Sequence, residues 1–364
     1  MNIQLYQYRF PFKQTFVTAS DSYTEREGII FILRHKGIEA YGEAAPLPGF
    51  SGESLHEVRR YLAVHNSSFH AYIREAVQKY ETGMHHLLPV LPSSLAFGLD
   101  TLLADYWSKA KQVPLPKMLF KKSRSQITVN ATLPIDKKEA LLARALAYRE
   151  AGYRTIKLKV GADFSHELAV IKALRSRFPD LNIRIDANQG WSPEEAANQL
   201  DKLTPLRIEY CEEPLKQPTP AGLAKLRQSV TIPIALDESL YCNKDVDDWI
   251  KSRCADILVV KPMVLGGFKS FFETFRLADN HDYKLVVTTS LEGGIGRMMT
   301  AILAAGAGST ALAQGLATGN RLALDVWNDQ PYIKNGTMHL PEKEGLGMQF
   351  NPEKLAPAVK KIEL

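Results

Sequence analysis

From Ile127 onward the chain alternates short apolar strands with amphipathic helices for about 200 residues, and nothing else in it limits the fold so strongly. TIKLKV (155–160), IRIDAN (183–188), IEYCEEP (208–214), PIALDES (233–239), ILVVKP (257–262) and KLVVTTS (284–290) read as strands. Helical patterns follow them near 165–178, 193–203, 220–229, 245–252, 268–280 and 294–306. The helix near 193 carries its own start signal. Ser192 is a good N-cap, Pro193 stands at the first helical position, and Glu195 completes a capping box. Sustained alternation of this kind means a parallel sheet covered by helices. Seven or eight such units close a (β/α)8 barrel.

Residues 1 to about 120 follow a different pattern, α+β. IQLYQYRF alternates like a strand, and GIIFILRHKGIEAYGEA reads as two strands joined at His35-Lys36-Gly37. Three helical patterns lie near 53–65, 69–82 and 92–111, and the basic stretch Lys121–Ser125 reads as a linker. The expected division is 1–125, 126–325 for the barrel, and a C-terminal segment 326–364.

Of the 364 residues, 45% are hydrophobic and 23% charged, a globular balance that excludes wholesale disorder and coiled coil. Basic residues exceed acidic ones by 45 − 40 = 5 and are scattered, so nucleic acid is not an expected partner. No stretch approaches the roughly 18 apolar residues of a membrane span, and MNIQLYQYRFPFK has no apolar signal core. Cys211, Cys242 and Cys254 form no C-x-x-C, which fits a reduced, cytoplasmic compartment.

The chemistry is concentrated at the strand ends. Lys157 and Lys159, Asp186, Glu212, Asp237, Lys261, and Ser290 with Glu292 each close a strand. From Lys159 the successive steps are 27, 26, 25, 24 and 29 residues, the length of one β/α unit. Side chains at the carboxyl ends of barrel strands point into the mouth where barrel active sites lie. A single Asp or Lys there is most often a solvated cap. Charges in register on five consecutive strands are costly inside a barrel unless paired or metal-bound. Three carboxylates without His or Cys favour a hard cation, Mg²⁺ with Mn²⁺ as a substitute. Removing a proton beside a carboxylate needs an amine base and strong stabilisation of the enediolate, and cationic neighbours make an amine available as a base. The set therefore points to proton abstraction α to a carboxylate. GGIG (293–296) is either a tight turn or an anion site built on Gly293 and Gly294.

These motifs, K-x-K (157–159), D-A-N (186–188), E-E-P (212–214), D-E-S (237–239) and K-P (261–262), resemble the enolase superfamily, muconate-lactonizing subgroup. A lysine base with a Mg²⁺-stabilised enediolate is a documented pattern for that superfamily. GEAAPLPGFSGES (42–54) and PSSLAFGLD (92–100) are similar to the o-succinylbenzoate synthase family within it. The resemblance implies an α/β fold: a modified (β/α)8 barrel with an α+β capping domain formed by the N-terminal part and the C-terminal segment. It implies Asp186, Glu212 and Asp237 as Mg²⁺ ligands, Lys159 as base and then acid, and Lys261 as the opposing charge. Lys157, Asn188, Phe50, Ser290, Gly293 and Gly294 become the expected substrate contacts. Cap loops Thr18–Tyr23 and Leu47–Gly52 would close the mouth.

The implied reaction is syn dehydration of 2-succinyl-6-hydroxy-2,4-cyclohexadiene-1-carboxylate to 2-succinylbenzoate in menaquinone biosynthesis, by a hydro-lyase. The implied partner is a small dicarboxylate, with no membrane and with homo-oligomerisation open. The competing activity is N-acylamino acid racemisation or dipeptide epimerisation. A dipeptide epimerase of this fold would carry D-x-D after its last strand, where this chain reads ALAQGLATG (311–319). A Schiff-base lyase and a non-catalytic barrel are the other classes; three carboxylates around the lysines argue against the first, and the intact carboxylates together with both lysines argue against the second.

Overall fold

The computed structural model describes residues 1–17, 22–78, 91–134, 136–241, 246–326 and 333–363. Most of the Thr18–Tyr23 loop, the end of the helix expected at 69–82, and Cys242 lie outside them. Strands β1 (Asn2–Val17), β2 (Ser22–His35) and β3 (Ile38–Ala44) form an antiparallel sheet, with β14 (Val359–Ile362) beside β1. The β2–β3 turn falls at Lys36-Gly37, both at positive φ (49° and 76°), as a two-residue hairpin requires. The apolar run in β2 is continuous because both faces of this sheet are covered. Ile29, Phe31 and Leu33 pack with Phe69, Leu95, Leu99 and Leu102 of the cap helices Asn66–Gln78 and Ser93–Lys111. Ile30 and Ile32 face the other way and join the core shared with the barrel.

The barrel strands are β5 (Ala131–Leu133), β6 (Thr155–Lys159), β7 (Asn182–Asp186), β8 (Ile208–Glu212), β9 (Ile234–Leu236), β10 (Ile257–Val260) and β11 (Lys284–Val287). They form one parallel sheet in chain order. The eighth position is filled by Gln314 and Gly315, which bridge to Val129 and Thr288 respectively. Gly315 is required there, since a Cβ would lie 2.3 Å from Thr288 Oγ1. The result is a modified (β/α)8 barrel carrying a separate α+β cap. β4 (Gln126–Thr128), β12 (Ile333–Lys334) and β13 (Thr337–His339) form a third, small antiparallel sheet.

The helices form where their signals stand. Pro193–Leu203 begins at Ser192, whose side chain accepts from Glu195 N, while the Glu195 carboxylate returns to Ser192 N at 2.8 Å. The linker expected at Lys121–Ser125 is anchored instead. Arg124 donates to the carbonyls of Ala304 (2.6 Å) and Gly308 (2.8 Å), capping the helix Gly294–Ala307. No described helix is long and apolar enough to cross a membrane.

Candidate active site

Register sets the site. Along β6, β7 and β8, Lys159 pairs with Asp186 and Asp186 with Glu212, so their side chains share one level. Asp237 follows β9 and Lys261 follows β10 directly. The five residues converge at the carboxyl end of the barrel. Asp186, Glu212, Asp237 and Lys261 are buried, and Lys159 is half-buried. Asn188 and Glu213, just past their strands, take left-handed backbone conformations (φ 41° and 42°) that non-glycine residues rarely adopt.

The lysines divide the carboxylates among themselves. Lys157 Nζ lies 2.8 Å from Asp186 and 2.5 Å from Glu212, and Lys261 Nζ is paired with Asp237. Lys159 forms no ion pair or hydrogen bond among the described residues. Burial pushes Asp186 upward, but Lys157 and Lys159 outweigh it and hold its carboxyl below the ordinary range. Burial, with Asp186 and Asp237 adding repulsion, drives Glu212 well above its ordinary value despite Lys157. Burial works against the charged form of Lys157 and of Lys261, yet the carboxylates beside them raise both.

The neighbouring acids have other work. Glu213 accepts from Asp237 N, Ser239 N (both 2.8 Å) and Ser239 Oγ (2.9 Å), fixing the loop that presents Asp237. Burial and then Glu238 raise it to about 8. Asn188 Nδ2 donates to Glu238 at 2.9 Å, so Asn188 orients an acid at the rim. Phe50 of the cap and Tyr241 lie over the Lys261 ammonium, with ring centres at 5.1 and 5.3 Å.

The donor chemistry fits a hard divalent cation. Glu212 Oε2 is buried with no hydrogen-bond partner among the described residues, and burial and the two acids beside it disfavour its carboxylate form. Among the described residues no three acidic, His or Cys side chains are already gathered for a metal. The positive charge they share comes from Lys157 and Lys261 instead.

The anion site expected at GGIG is not available. Gly293 N donates to Glu43 Oε1 at 2.6 Å, Gly296 N to Glu43 Oε2 at 2.7 Å, and Gly294 N to Asp325 at 2.8 Å. The chain's own carboxylates occupy the helix N-terminus, so Gly293 and Gly294 have no N–H to offer a substrate. A Cβ at Gly293 would come within 2.9 Å of Glu43 Oε1, so any side chain there would push this carboxylate from its place. Ser290 gives both its N–H (2.5 Å) and its O–H (2.9 Å) to Glu292. Sequence reasoning passed over Glu43, Asp325, Arg26, Tyr8 and Tyr241. A signal was present for Glu43, an acid set among small and apolar residues in YGEAAP.

Residues 140–354 match the family model described as enolase C-terminal domain-like, and residues 1–106 match the MenC N-terminal domain. The chain is 28% identical to the L-Ala-D/L-Glu epimerase of Bacillus subtilis, over 93% of this chain and 92% of that protein. It is 29% identical to the N-succinylamino acid racemase of Thermus thermophilus, over 97% and 94%. Identity to the N-succinyl-L-Arg/Lys racemase of Bacillus cereus is 27%, over 97% and 96%. A substrate-liganded structure of the Bacillus subtilis epimerase superposes with a TM-score of 0.82 at 26% identity, covering 95% of this chain and 98% of that one. The muconate lactonizing enzyme of Pseudomonas fluorescens shares the fold at a TM-score of 0.86 and 23% identity, over 99% and 98%.

Proposed function

The chain belongs to the enolase superfamily, and from that premise we propose that it removes the proton beside a carboxylate of a small organic acid. The observation that carries this is the division of labour among the lysines. Lys157 and Lys261 are tied to carboxylates, while Lys159 stands unpaired at the same level as Asp186. Lys159 would take the proton. Lys261, with its charge under the Phe50 ring, would face the developing enediolate, and Lys157 would hold a carboxylate of the substrate. Asp186, Glu212 and Asp237 would hold Mg²⁺, or Mn²⁺ in its place, which when bound supplies further positive charge for the enediolate oxygens.

For the fate of the enediolate we take dehydration of 2-succinyl-6-hydroxy-2,4-cyclohexadiene-1-carboxylate first. It is supported by the MenC N-terminal match, by GEAAPLPGFSGES and PSSLAFGLD, and by an eighth strand with no D-x-D for an ammonium group. Loss of water aromatises the ring, so a single base suffices. The second reading, racemisation or epimerisation, is favoured by the names of the curated relatives. Two of those names specify N-succinyl substrates, which share a succinyl group and a second carboxylate with the cyclohexadiene. A succinyl-bearing carboxylate is therefore a substrate class that the dehydration and N-succinylamino acid racemisation readings share.

The test is a direct comparison of rates. In D₂O with Mg²⁺, wild type is expected to form 2-succinylbenzoate far faster than it exchanges the α-proton of an N-succinylamino acid. Lys261→Arg, which keeps charge but not basicity, should retain measurable dehydration, whereas a racemase needs both lysines as bases. Faster exchange than dehydration would establish the racemase reading, and turnover of neither substrate would refute both.

A further inference from the structure

Arg26 is buried at the seam between cap and barrel, 2% exposed, although it stands on a cap strand more than 260 residues from its barrel partners. Its guanidinium is spent on backbone carbonyls. Nη1 donates to Pro46 O at 2.7 Å and Glu27 O at 2.9 Å, and Nη2 donates to Ala45 O and, at 3.4 Å, to Ser290 O. Nε donates to Leu291 O at 3.2 Å. One planar group thus binds two segments, residues 45–46 of the cap and residues 290–291 of the loop after β11. A fork of five donors is the side chain suited to such bridging.

Both segments lead to the site. Directly after Pro46 the chain forms a tight turn, in which Phe50 N and Ser51 N donate to Leu47 O (3.0 and 2.8 Å) and Leu47 N to Ser51 Oγ (2.9 Å). That turn carries Phe50, whose ring lies over the Lys261 ammonium. On the barrel side, Leu291 has a φ of 62°, a strained value for a side chain branched at Cγ. Such a conformation persists only where its surroundings hold it. Arg26 grips its carbonyl, and Glu43 grips Gly293 N two residues on.

We infer that Arg26 is a positioning residue: it locks the Leu47–Ser51 turn to the β11 loop and so keeps Phe50 seated over Lys261. The role is indirect, since Arg26 touches none of the five mouth residues. Its effect passes through the rigid turn, with Phe50 excluding water from the Lys261 charge. The kinetic part of the inference rests on the proposed proton abstraction; the docking part does not.

Two measurements test it. In the first, Arg26→Lys and Phe50→Ala are combined in a double-variant cycle. Arg26→Lys is expected to lower kcat/KM by about 10–100-fold. In the Phe50→Ala background the same change should add little, because its route to the site is gone. Additive losses would show that Arg26 acts some other way and would overturn the inference. The second needs no substrate. Tryptophan emission from a Phe50→Trp protein is expected to shift to the red when Arg26→Lys is added, as the turn leaves its seat. Unchanged emission would equally overturn it. Arg26→Lys is chosen over Arg26→Met because it leaves fewer carbonyls without a donor, and Tm confirms folding. If wild type turned over neither proposed substrate, the functional reading would fail while the emission measurement still judged Arg26.

Discussion

Two groups of buried carboxylates, one where the cap meets the barrel and one at the barrel mouth, are neutralised in opposite ways. On the side facing the cap, Glu43 accepts from Tyr8 OH, Gly293 N and Gly296 N. Glu292 accepts from Ser290 and Thr300, and Asp325 from Gly294 N and Arg297. These donors are backbone groups, serine, threonine and tyrosine hydroxyls, and a planar guanidinium. On the other side Asp186, Glu212 and Asp237 rest on lysine ammoniums at the ends of flexible stems, and Glu212 Oε2 has no hydrogen-bond partner among the described residues. A carboxylate saturated by fixed donors holds structure together. One held by exchangeable cations can give up its partner to a metal or a substrate.

The largest effects should come from the unpaired lysine and from Glu212. Lys159→Ala is expected to lower turnover by about 10²–10⁴-fold or more, with Tm nearly unchanged, in steady-state assays on either candidate substrate. Glu212→Gln should abolish Mg²⁺-dependent turnover and weaken Mg²⁺ binding by calorimetry while the protein remains folded. Glu43→Ala should do the reverse, costing on the order of 3 kcal/mol or more in denaturant unfolding, since three buried donors lose their acceptor. Its Mg²⁺ affinity should stay close to wild type. If Glu212→Gln unfolded the protein and Glu43→Ala did not, the comparison would be inverted.

A pH series sharpens the same contrast. Burial raises Glu43 from its ordinary 4.5 to about 7. Between those values the folded state holds a proton that the unfolded chain has lost. This group's contribution to stability therefore falls as pH rises from about 4.5 to about 7 and is flat outside that window. Glu43→Gln should flatten that part of the stability curve; an unaltered slope would show that Glu43 is not the group responsible. The smallest effect is expected from Ser290→Ala, which removes one of three donors to Glu292 and should cost about 1 kcal/mol. A loss of activity well beyond that cost would bring Ser290 back as a substrate contact.

Much of this was legible without a structure because it repeats locally. The spacing of Lys159, Asp186, Glu212, Asp237 and Lys261 is the length of a β/α unit, and parallel ladders in chain order place them at one end. Ser192, Pro193 and Glu195 mark a helix start from four residues of sequence. GGIG misled for the converse reason. Its position and its glycines suit an anion, but which anion depends on Glu43, a residue 250 positions away. Arg26 was likewise silent, since its partners are carbonyls that every residue possesses.

The sequence by itself determined the barrel, its strand order and the set of charges at its mouth, because periodicity and strand register are short-range properties of the chain. The tertiary structure decided which of those charges are already satisfied. Saturation of a buried carboxylate is settled by donors brought from the cap to the barrel, and long-range packing places them to within a hydrogen bond's length.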